Sequence, residues 1–361
     1  MKTVFTFFIC FLFHCSGMTQ ISKIKPGFSK DEYSELLKIS TRQSDSLYNE
    51  DLPAPKQFSR IYRSSILGLD NRWELWTSKD TIAAISIRGT TLKKESWIEN
   101  FCTAMLPISG NINLSSTQNY KYKLGEDSRA SVHAGWLIGA VCIFQDLIPK
   151  LDSCMQNGIY DFYIIGHSQG GAIAYLLTSM LNHLKLEDEK YQNITIKTYA
   201  SAAPKPGNLY YAYEYESLTQ KGWAFNVVNS ADWVPEGPFS IQTTDDYNVL
   251  NPFKLVDSTF KDTPFPKNII LKYMYNKLDK PTKKSKNRFN KILGKQMAKQ
   301  VQKYYPNFIP PTFHESTNYV RVGQTVVLYA DKEYYKIFPN IKNKIWQHHK
   351  FEAYFYLLDK L

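Results

Sequence analysis

A serine between two glycines stands where an apolar run gives way to a helical pattern. The run Tyr163-Ile164-Ile165 is followed by Gly166-His167-Ser168-Gln169-Gly170 and then by an alanine-rich segment. A Gly-x-Ser-x-Gly motif in this context is typical of a sharp strand-to-helix turn that exposes the serine hydroxyl, with the helix N-terminus behind it. The pattern therefore predicts that Ser168 is a nucleophile.

A nucleophilic serine needs a base, a carboxylate that orients the base, and hydrogen-bond donors for the oxyanion. Where the serine occupies such a turn, the carboxylate and then the histidine follow it along the chain. Asp232 comes just after the apolar strand pattern Ala224–Asn229, which is where the carboxylate is expected. We therefore predict that Asp232 orients the base.

Three histidines follow Asp232, namely His314, His348 and His349. His314 lies in a proline-flanked loop before the last predicted strand, which favours a surface or packing role. His348 and His349 come after that strand, where the base is expected. The residues themselves leave both as candidates.

Short apolar runs alternate with helical patterns along most of the chain, which predicts an α/β fold with a mostly parallel sheet covered by helices. The predicted strands are Trp73–Thr77, Ile82–Ile87, Phe162–Ile165, Ile194–Tyr199, Ala224–Asn229 and Val320–Tyr329. The predicted helices are Lys30–Thr41, Val132–Leu151, Gly170–Leu184, Asn208–Lys221 and His349–Leu358.

Two segments break this alternation. Residues 235–311 are rich in Pro, Asn, Lys and Phe, with one clear helix at about Lys283 to Tyr305. We interpret them as an insertion in a single domain over residues 18–361, because core elements stand on both sides. The segment from Cys102 to Ser131 is the second and is expected to be irregular. Either could form a lid or a substrate-facing wall.

The formal net charge of +11 is concentrated between Lys277 and Lys303. A basic helical stretch can contact anionic lipid headgroups or nucleic acid, but it is more often a solvated face, which is the interpretation favoured here. No nucleic-acid partner is expected, because no recognised reader module accompanies the charge.

The first residues have the order of a secretory signal. Met1-Lys2-Thr3 precedes an apolar run from Val4 to Phe13 and the small residues that end at Gly17. We expect a signal peptide over residues 1–17 and a secreted or cell-envelope protein, with lipid anchoring through Cys15 less favoured because His14 fits a lipobox poorly. The run is too short to span a bilayer, and no later stretch is expected to be long and apolar enough to do so.

The cysteines that follow the signal segment are Cys102, Cys142 and Cys154. An odd count without regular spacing argues against a disulfide framework and against a zinc site. A bridge between two of the three stays open.

Five motifs, in the same order, resemble those of the class 3 lipases, a family of α/β-hydrolases. The family carries a strand ending in Arg-Gly-Thr, a His-x-Gly-Phe-like segment, Gly-His-Ser-x-Gly-Gly-Ala, Asn-x-x-Asp-x-Val-Pro, and a late His shortly before a Tyr. The matching segments here are Arg88–Thr90, His133–Trp136, Gly166–Ala172, Asn229–Pro235 and His349–Tyr354. Five motifs in this order are far more specific than any one alone.

The resemblance implies an α/β-hydrolase fold with a lid-like or cap-like insertion and a Ser168, Asp232 and His349 triad. The spacing to Tyr354 favours His349 over His348 as the base. The backbone N–H groups of Thr90 and Gln169 would form the oxyanion hole, and no metal or organic cofactor is needed. His133 is expected to be structural, beside the oxyanion loop.

The implied function is that of a serine ester hydrolase, a lipase or carboxylesterase acting on acyl esters and above all on acylglycerols. Phospholipase A1 or another deacylase on the same machinery, and a noncatalytic binding protein of the same fold, stay open. The expected partner is a lipid or other acyl ester, with contact to a membrane or lipid surface. The interval from Asp232 to His349 is longer than is usual in the family, so we expect the insertion to reshape the acyl site.

Overall fold

The computed structural model describes residues 22–43, 52–254 and 263–361. The predicted signal peptide lies outside these residues. The strands are β1 (Phe58–Arg63), β2 (Trp73–Ser78), β3 (Ile82–Ile87), β4 (Met105–Pro107), β5 (Ser109–Asn113), β6 (Asn119–Lys123), β7 (Ser131–His133), β8 (Asp161–His167), β9 (Thr195–Ser201), β10 (Gly207–Asn208), β11 (Ala224–Asn229), β12 (Tyr319–Val320) and β13 (Gln324–Leu328). The helices are α1 (Lys30–Ser40), α2 (Lys94–Phe101), α3 (Ala134–Gln156), α4 (Gln169–Glu187), α5 (Leu209–Thr219), α6 (Lys267–Phe289), α7 (Met297–Tyr304), α8 (Lys332–Ile337) and α9 (Phe351–Asp359).

The central sheet has seven strands in the order β1-β2-β3-β8-β9-β11-β13. The last five run parallel to one another, while β1 and β2 pair antiparallel at one edge. The predicted α/β-hydrolase type of fold, with a mostly parallel sheet and helices around it, is confirmed. In such sheets ligands bind beyond the carboxyl ends of the strands, and β3, β8 and β11 there lead into the loops that carry the candidate residues.

Helices cover both faces of the sheet, which explains why its central strands are almost continuously apolar. Successive side chains of a strand point to opposite faces. Accordingly, Ile164 packs into the cluster with Leu137 of α3 and Ile173 of α4, while its neighbour Ile165 packs with Tyr33 of α1. The turn after β8 is therefore held by two separate hydrophobic layers.

Helix α3 is long and apolar enough to cross a membrane by length and composition, so the expectation that no later stretch has this property is wrong. Two-thirds of its most apolar window is buried within the protein. Leu137, Val141 and Leu151 of this helix belong to the main hydrophobic core. Its apolar character is that of a core helix.

The expectation that residues 102–131 are irregular is wrong. They form β4 and the antiparallel hairpin of β5 and β6, which buries Ile112 and Leu114 in the main core. Each strand of the hairpin is short and has a single buried residue, Ile112 or Tyr122, so the sequence shows little alternation of apolar and polar residues. The predicted strand Val320–Tyr329 is two strands in different sheets, because the chain turns at Gly323, where φ is +79°.

The insertion between β11 and β12 contains more helix than predicted. Helix α6 begins at Lys267 and continues through Pro281, a residue that normally interrupts a helix. A π-helical segment, Asn290–Gln296, joins it to α7. Ala298 and Val301 of α7 are buried in the main core, whereas the first turns of α6 are exposed.

Candidate active site

Ser168 occupies a strained turn between β8 and α4, with φ 62° and ψ −129°. A positive φ is costly for a residue with a side chain and is found mainly where the surroundings enforce it. Close packing enforces it here. A Cβ at Gly166 would stand 2.1 Å from the carbonyl oxygen of Gly170, and one at Gly170 would stand 2.3 Å from that of Ile87. Both glycines of the motif are required by contact.

Asp232 lies three residues after the end of β11, and its side chain is completely buried. Its Oδ2 accepts hydrogen bonds from His349 Nδ1, at 2.7 Å, and from the Tyr354 hydroxyl, at 2.8 Å. Its Oδ1 accepts one from the Val234 N–H at 3.0 Å. Burial by itself would raise the pKa of Asp232, but the hydrogen bonds and the charge interaction with His349 hold that pKa below its ordinary value.

An ionised Asp232 fixes the tautomer of His349, because its Oδ2 accepts a hydrogen bond from the Nδ1–H and leaves the unprotonated Nε2 to accept a proton. No hydrogen bond joins Ser168 Oγ to His349 within the described part of the chain. Hydrogen bonds of this kind are often long before substrate binds. The pairing of Asp232 with His349 is thus observed, while the link from His349 to Ser168 is inferred from the position of His349 near the turn of Ser168.

His167 connects the nucleophile turn to the base. Its Nε2 donates to the carbonyl oxygen of His349 at 2.8 Å, and the two rings lie 4.9 Å apart. Its Nδ1 lies 3.0 Å from the Ser201 hydroxyl. Burial, and then the neighbouring His349, lower the pKa of His167 to about 3. A neutral ring with the proton on Nε2 therefore holds the backbone of His349 beside Ser168.

The structure separates the two candidate bases. His348 Nδ1 lies 2.7 Å from the Tyr334 hydroxyl, and its Nε2 lies 2.8 Å from Asn340 Oδ1. Both ring nitrogens are therefore engaged away from Asp232. The structure brings His349, the base that the resemblance implies, within hydrogen-bond distance of the carboxylate.

The loop that carries Thr90 passes directly over the nucleophile turn. A Cβ at Gly89 would stand 2.8 Å from the His167 carbonyl oxygen, so only glycine permits this approach. The Thr90 hydroxyl accepts a hydrogen bond from Asn100 Nδ2 at 2.9 Å. The Gln169 side chain is buried and accepts one from the Ser96 hydroxyl at 3.0 Å. Helix α2 therefore holds both predicted oxyanion residues.

A buried carboxylate from another loop holds the rest of this segment. Asp70 Oδ2 accepts from the Thr91 hydroxyl at 2.6 Å, and Oδ1 accepts from Lys93 Nζ at 3.0 Å. The Arg88 guanidinium forms an ion pair with the same carboxylate at 3.3 Å. Sequence reasoning missed Asp70 and Asn100, because no spacing rule links them to Thr90. No local pattern in the sequence marks either residue.

His133 and His314 lie outside the candidate triad. His133 caps α3 by accepting from the Trp136 N–H at 3.2 Å, and its ring stacks on Trp136 with centroids 3.6 Å apart. Burial lowers the pKa of His133 to about 3, so the ring is neutral, and its Nε2 lies 3.2 Å from the carbonyl oxygen of Asn100. His314 packs on Met105 of β4, to whose carbonyl its N–H donates at 2.8 Å.

Exposed tryptophans border the base. The Trp346 ring lies 5.7 Å from that of His349, 4.9 Å from Trp233 and 6.1 Å from Trp97 of α2. Trp233 and Trp346 are 46% and 38% exposed. An apolar wall of this kind, open to solvent beside a reactive group, is suited to an apolar ligand.

Cys102, Cys142 and Cys154 are buried and unbridged, so the open question of a bridge is answered in the negative for these three. Burial raises the pKa of the Cys102 and Cys142 thiols to about 12. The thiols therefore stay protonated and behave as core residues.

Comparison with known proteins matches residues 84–241 to the family model described as Lipase (class 3). A curated relative, Lipase ZK262.3 of Caenorhabditis elegans, is 37% identical over 86 residues, which are 24% of this chain and 23% of the relative. The chain thus matches less than a quarter of that protein's length.

Two similar solved structures are fungal lipases. The Lip2 lipase of Yarrowia lipolytica is 21% identical, with 58% of this chain and 73% of that chain covered and a TM-score of 0.44. The triacylglyceride lipase of Rhizomucor miehei is 20% identical, with 59% and 77% covered and a TM-score of 0.42.

The segment that matches the family model contains most of the candidate site. Thr90, Ser168, Gln169 and Asp232 lie within it, whereas His349 lies outside it and rests on its contact with Asp232. The resemblance to the class 3 lipases is therefore confirmed over residues 84–241, which contain four of the five motifs.

Proposed function

We propose that this protein is a serine carboxylic ester hydrolase that cleaves acyl esters, above all acylglycerols, through an acyl-enzyme on Ser168. The observation that carries the proposal is the buried Asp232 held to His349, whose backbone His167 ties to the turn of Ser168. Buried carboxylates also occur in ion pairs that are purely structural. Here the contacts of the carboxylate continue through His349 and His167 to the strained turn of Ser168.

In the proposed reaction His349 Nε2 removes the hydroxyl proton as Ser168 Oγ attacks the ester carbonyl carbon. Asp232 stabilises the imidazolium that forms. The N–H groups of Thr90 and Gln169 stabilise the oxyanion, and loss of one such donor typically costs about 3 kcal/mol of transition-state stabilisation. The imidazolium returns its proton to the leaving alkoxide, and water then releases the acid by the same steps.

The substrate class follows from the surroundings of the base. The wall of Trp233 and Trp346 supports an apolar acyl chain, so a lipid presented at a membrane or another lipid surface is the proposed partner, with no nucleic acid involved. Export by the N-terminal segment, to the exterior or the cell envelope, completes the proposal.

Phospholipase A1 activity is the second candidate, favoured by the cationic surface of α6, a helix of the insertion that follows Asp232. The noncatalytic alternative is disfavoured, because every side chain that the reaction needs is present. Release of fatty acid from phosphatidylglycerol and from a triacylglycerol emulsion, measured side by side, separates the first two candidates.

The test is hydrolysis of p-nitrophenyl butyrate and palmitate by the wild type and by Ser168→Ala, His349→Ala and His348→Ala. We expect activity to be lost in the first two and kept in the third, which is the matched control because both histidines lie in one turn. Thermal melting of each variant checks folding. A folded wild type that is inactive on both p-nitrophenyl esters, on phosphatidylglycerol and on triacylglycerol would contradict the proposal. So would a Ser168→Ala variant that is as active as wild type.

A further inference from the structure

The first turns of α6 expose aliphatic and aromatic side chains to solvent. The apolar tip consists of Ile269, Ile270, Tyr273, Met274 and Leu278, which are 57%, 52%, 61%, 58% and 75% exposed. Apolar side chains clustered on an exposed helix usually mark an interaction site. The tip is therefore a candidate interaction surface that no described residue of the chain covers.

Exposed apolar side chains in the neighbouring loops enlarge this surface. Phe253 is half exposed, and its carbonyl accepts a hydrogen bond from the Tyr275 hydroxyl at 2.7 Å, which ties the loop to α6. The ring of Tyr247 packs on that of Phe253, with centroids 5.4 Å apart. Phe265, just before α6, is 79% exposed.

The next turns of α6 change from apolar to basic on the same side of the helix. The basic stem consists of Lys280, Lys284, Arg288 and Lys291, all exposed and bordering one shallow depression. One side of the helix carries Ile269, Tyr273, Lys280 and Lys284, because successive members of this set are separated by four, seven and four residues. Polarity thus changes along the helix axis.

Two carboxylates of the insertion pair with lysines outside the basic stem. Asp245 pairs with Lys286 at 2.8 Å and with Lys283 at 3.5 Å, and Asp279 pairs with Lys283 at 3.1 Å. Lys286 is buried. Among the described residues, none of the four cations of the basic stem forms an ion pair with a carboxylate, so the stem presents uncompensated positive charge to solvent.

The spacing of the two parts matches a lipid surface. Tyr273 and Lys280 are separated by about 10 Å along the axis, at ~1.5 Å per residue. Amphipathic segments bury their apolar residues roughly 5–10 Å into the boundary between headgroups and acyl chains. Their cations then lie at the level of the lipid phosphates. A nucleic acid would use the cations but would leave the apolar tip exposed to water, so the combination favours lipid.

The insertion also contacts the site. It begins just after Asp232, and at its other end α7 packs against α2, the helix that holds Thr90 and Gln169. The hydroxyl of Tyr305, after α7, donates to the Gly68 carbonyl at 2.8 Å, close in sequence to Asp70. The insertion that contains α6 therefore contacts, through α7 and α2, the loop that carries Thr90.

We propose that the apolar tip and the basic stem dock this protein on bilayers rich in anionic phospholipid, with the tip in the acyl region and the stem at the phosphates. The inference deepens the proposed function and rests on it for its purpose, since docking would deliver membrane lipids to Ser168. Docking itself does not require catalysis and can be measured without it.

The test is co-sedimentation of the Ser168→Ala protein with vesicles of phosphatidylcholine alone and of phosphatidylcholine with phosphatidylglycerol. Reversal of three stem charges, Lys280→Glu, Lys284→Glu and Arg288→Glu, should weaken binding to the anionic vesicles by at least about a hundredfold, since each cation contributes ~1 kcal/mol near such a surface. Ile270→Ser with Met274→Ser should weaken it as well.

The matched control makes the same charge change at exposed lysines on the amino-terminal side of the sheet, as Lys25→Glu, Lys79→Glu and Lys221→Glu. This control should keep vesicle binding within about threefold of wild type, because surface cations outside the contact add little. Equal loss in the control, equal binding to both vesicle types, or no vesicle binding overturns the proposal. The proposal is also overturned if the wild type is a dimer that Ile270→Ser with Met274→Ser dissociates. Binding to single-stranded DNA as tight as binding to vesicles overturns it as well.

Hydrolysis of soluble p-nitrophenyl butyrate separates the two proposals. The stem variant of the otherwise wild-type enzyme should hydrolyse butyrate as fast as wild type, because no stem residue touches the candidate triad. Vesicle binding without butyrate activity in wild type would contradict the hydrolase and leave docking standing. Butyrate activity without vesicle binding would do the reverse.

Discussion

The carboxyl edge of the central sheet and the projecting part of α6 are built in opposite ways. At the sheet edge, Asp232 and His167 are buried, and directed hydrogen bonds fix each of them in one orientation. On α6, Ile270 and Met274 are exposed. Fixed polar groups in a dry site favour chemistry, because they need no reorganisation as charge develops.

The difference assigns separate tasks to two parts of one domain. The sheet edge can orient a proton and an oxyanion but offers little surface to a large lipid aggregate. The apolar tip and the basic stem offer that surface but contain no group placed for catalysis. Changes in one region should therefore leave the other's measurable property almost untouched.

The largest effect should come from Asp232→Asn. The amide keeps the shape of the side chain but stabilises the wrong tautomer of His349, so kcat on p-nitrophenyl butyrate should fall roughly 10⁴-fold. The same change in the insertion, Asp245→Asn, removes only the ion pairs of a half-exposed carboxylate. It should leave kcat unchanged. A fall in kcat of similar size in both variants would erase the contrast between the regions.

Stability towards acid should depend on the sheet edge. The pKa of His133 and that of His167 are lowered to about 3 by burial, whereas an unfolded histidine has a pKa near 6.5. Between these values the unfolded chain binds more protons, so the free energy of unfolding should fall as the pH falls, approaching about 2.7 kcal/mol per pH unit for the pair.

Asp232 acts in the same direction at lower pH. Its pKa lies below the ordinary value, so its contribution is present above the unfolded pKa and is lost as the pH falls through the folded one. Urea unfolding across the acidic range measures the slope, and His133→Gln should reduce it by about 1.4 kcal/mol per pH unit. A free energy that is flat with pH would mean that these histidines are protonated in the native state.

Two substitutions in the insertion compare its anchored and projecting parts. Val301 of α7 is completely buried, so Val301→Ala should lower the free energy of unfolding by about 2 kcal/mol through lost burial and a residual cavity. Ile270→Ala should change it by less than about 0.5 kcal/mol, since that side chain is exposed. Equal losses in chemical denaturation would show that α6 packs against the protein in solution.

The effect of His348→Ala on activity should be small. Its ring bonds to Tyr334 and Asn340 and faces away from Asp232. We expect kcat/KM on p-nitrophenyl butyrate to change by less than about threefold, as for a residue that makes no contact in the transition state. A loss as large as that of His349→Ala would reassign the base.

The sequence predicted the parts of the site that local patterns encode. Ser168 follows from glycine spacing in a strand-to-helix context, and Asp232 follows from its place after an apolar strand. His349 needed the resemblance, since a pair of adjacent histidines cannot be resolved by spacing from Asp232 alone.

The remaining features depend on contacts between distant segments. Asp70 and Asn100 reach the oxyanion loop from other elements, and His167 reaches the His349 backbone across the sheet. The start of α6 at Lys267 was missed because an exposed apolar helix lacks the one-sided pattern by which helices are recognised.

Reaction with diethyl p-nitrophenyl phosphate tests the central claim most directly, because an activated serine displaces p-nitrophenol and keeps the phosphoryl group. Peptide mass spectrometry should find a single diethylphosphoryl adduct, on Ser168, and both Asp232→Asn and His349→Ala should form it far more slowly than His348→Ala. A folded wild-type protein that remains unlabelled at Ser168, or that is labelled equally fast in all three variants, would contradict the account.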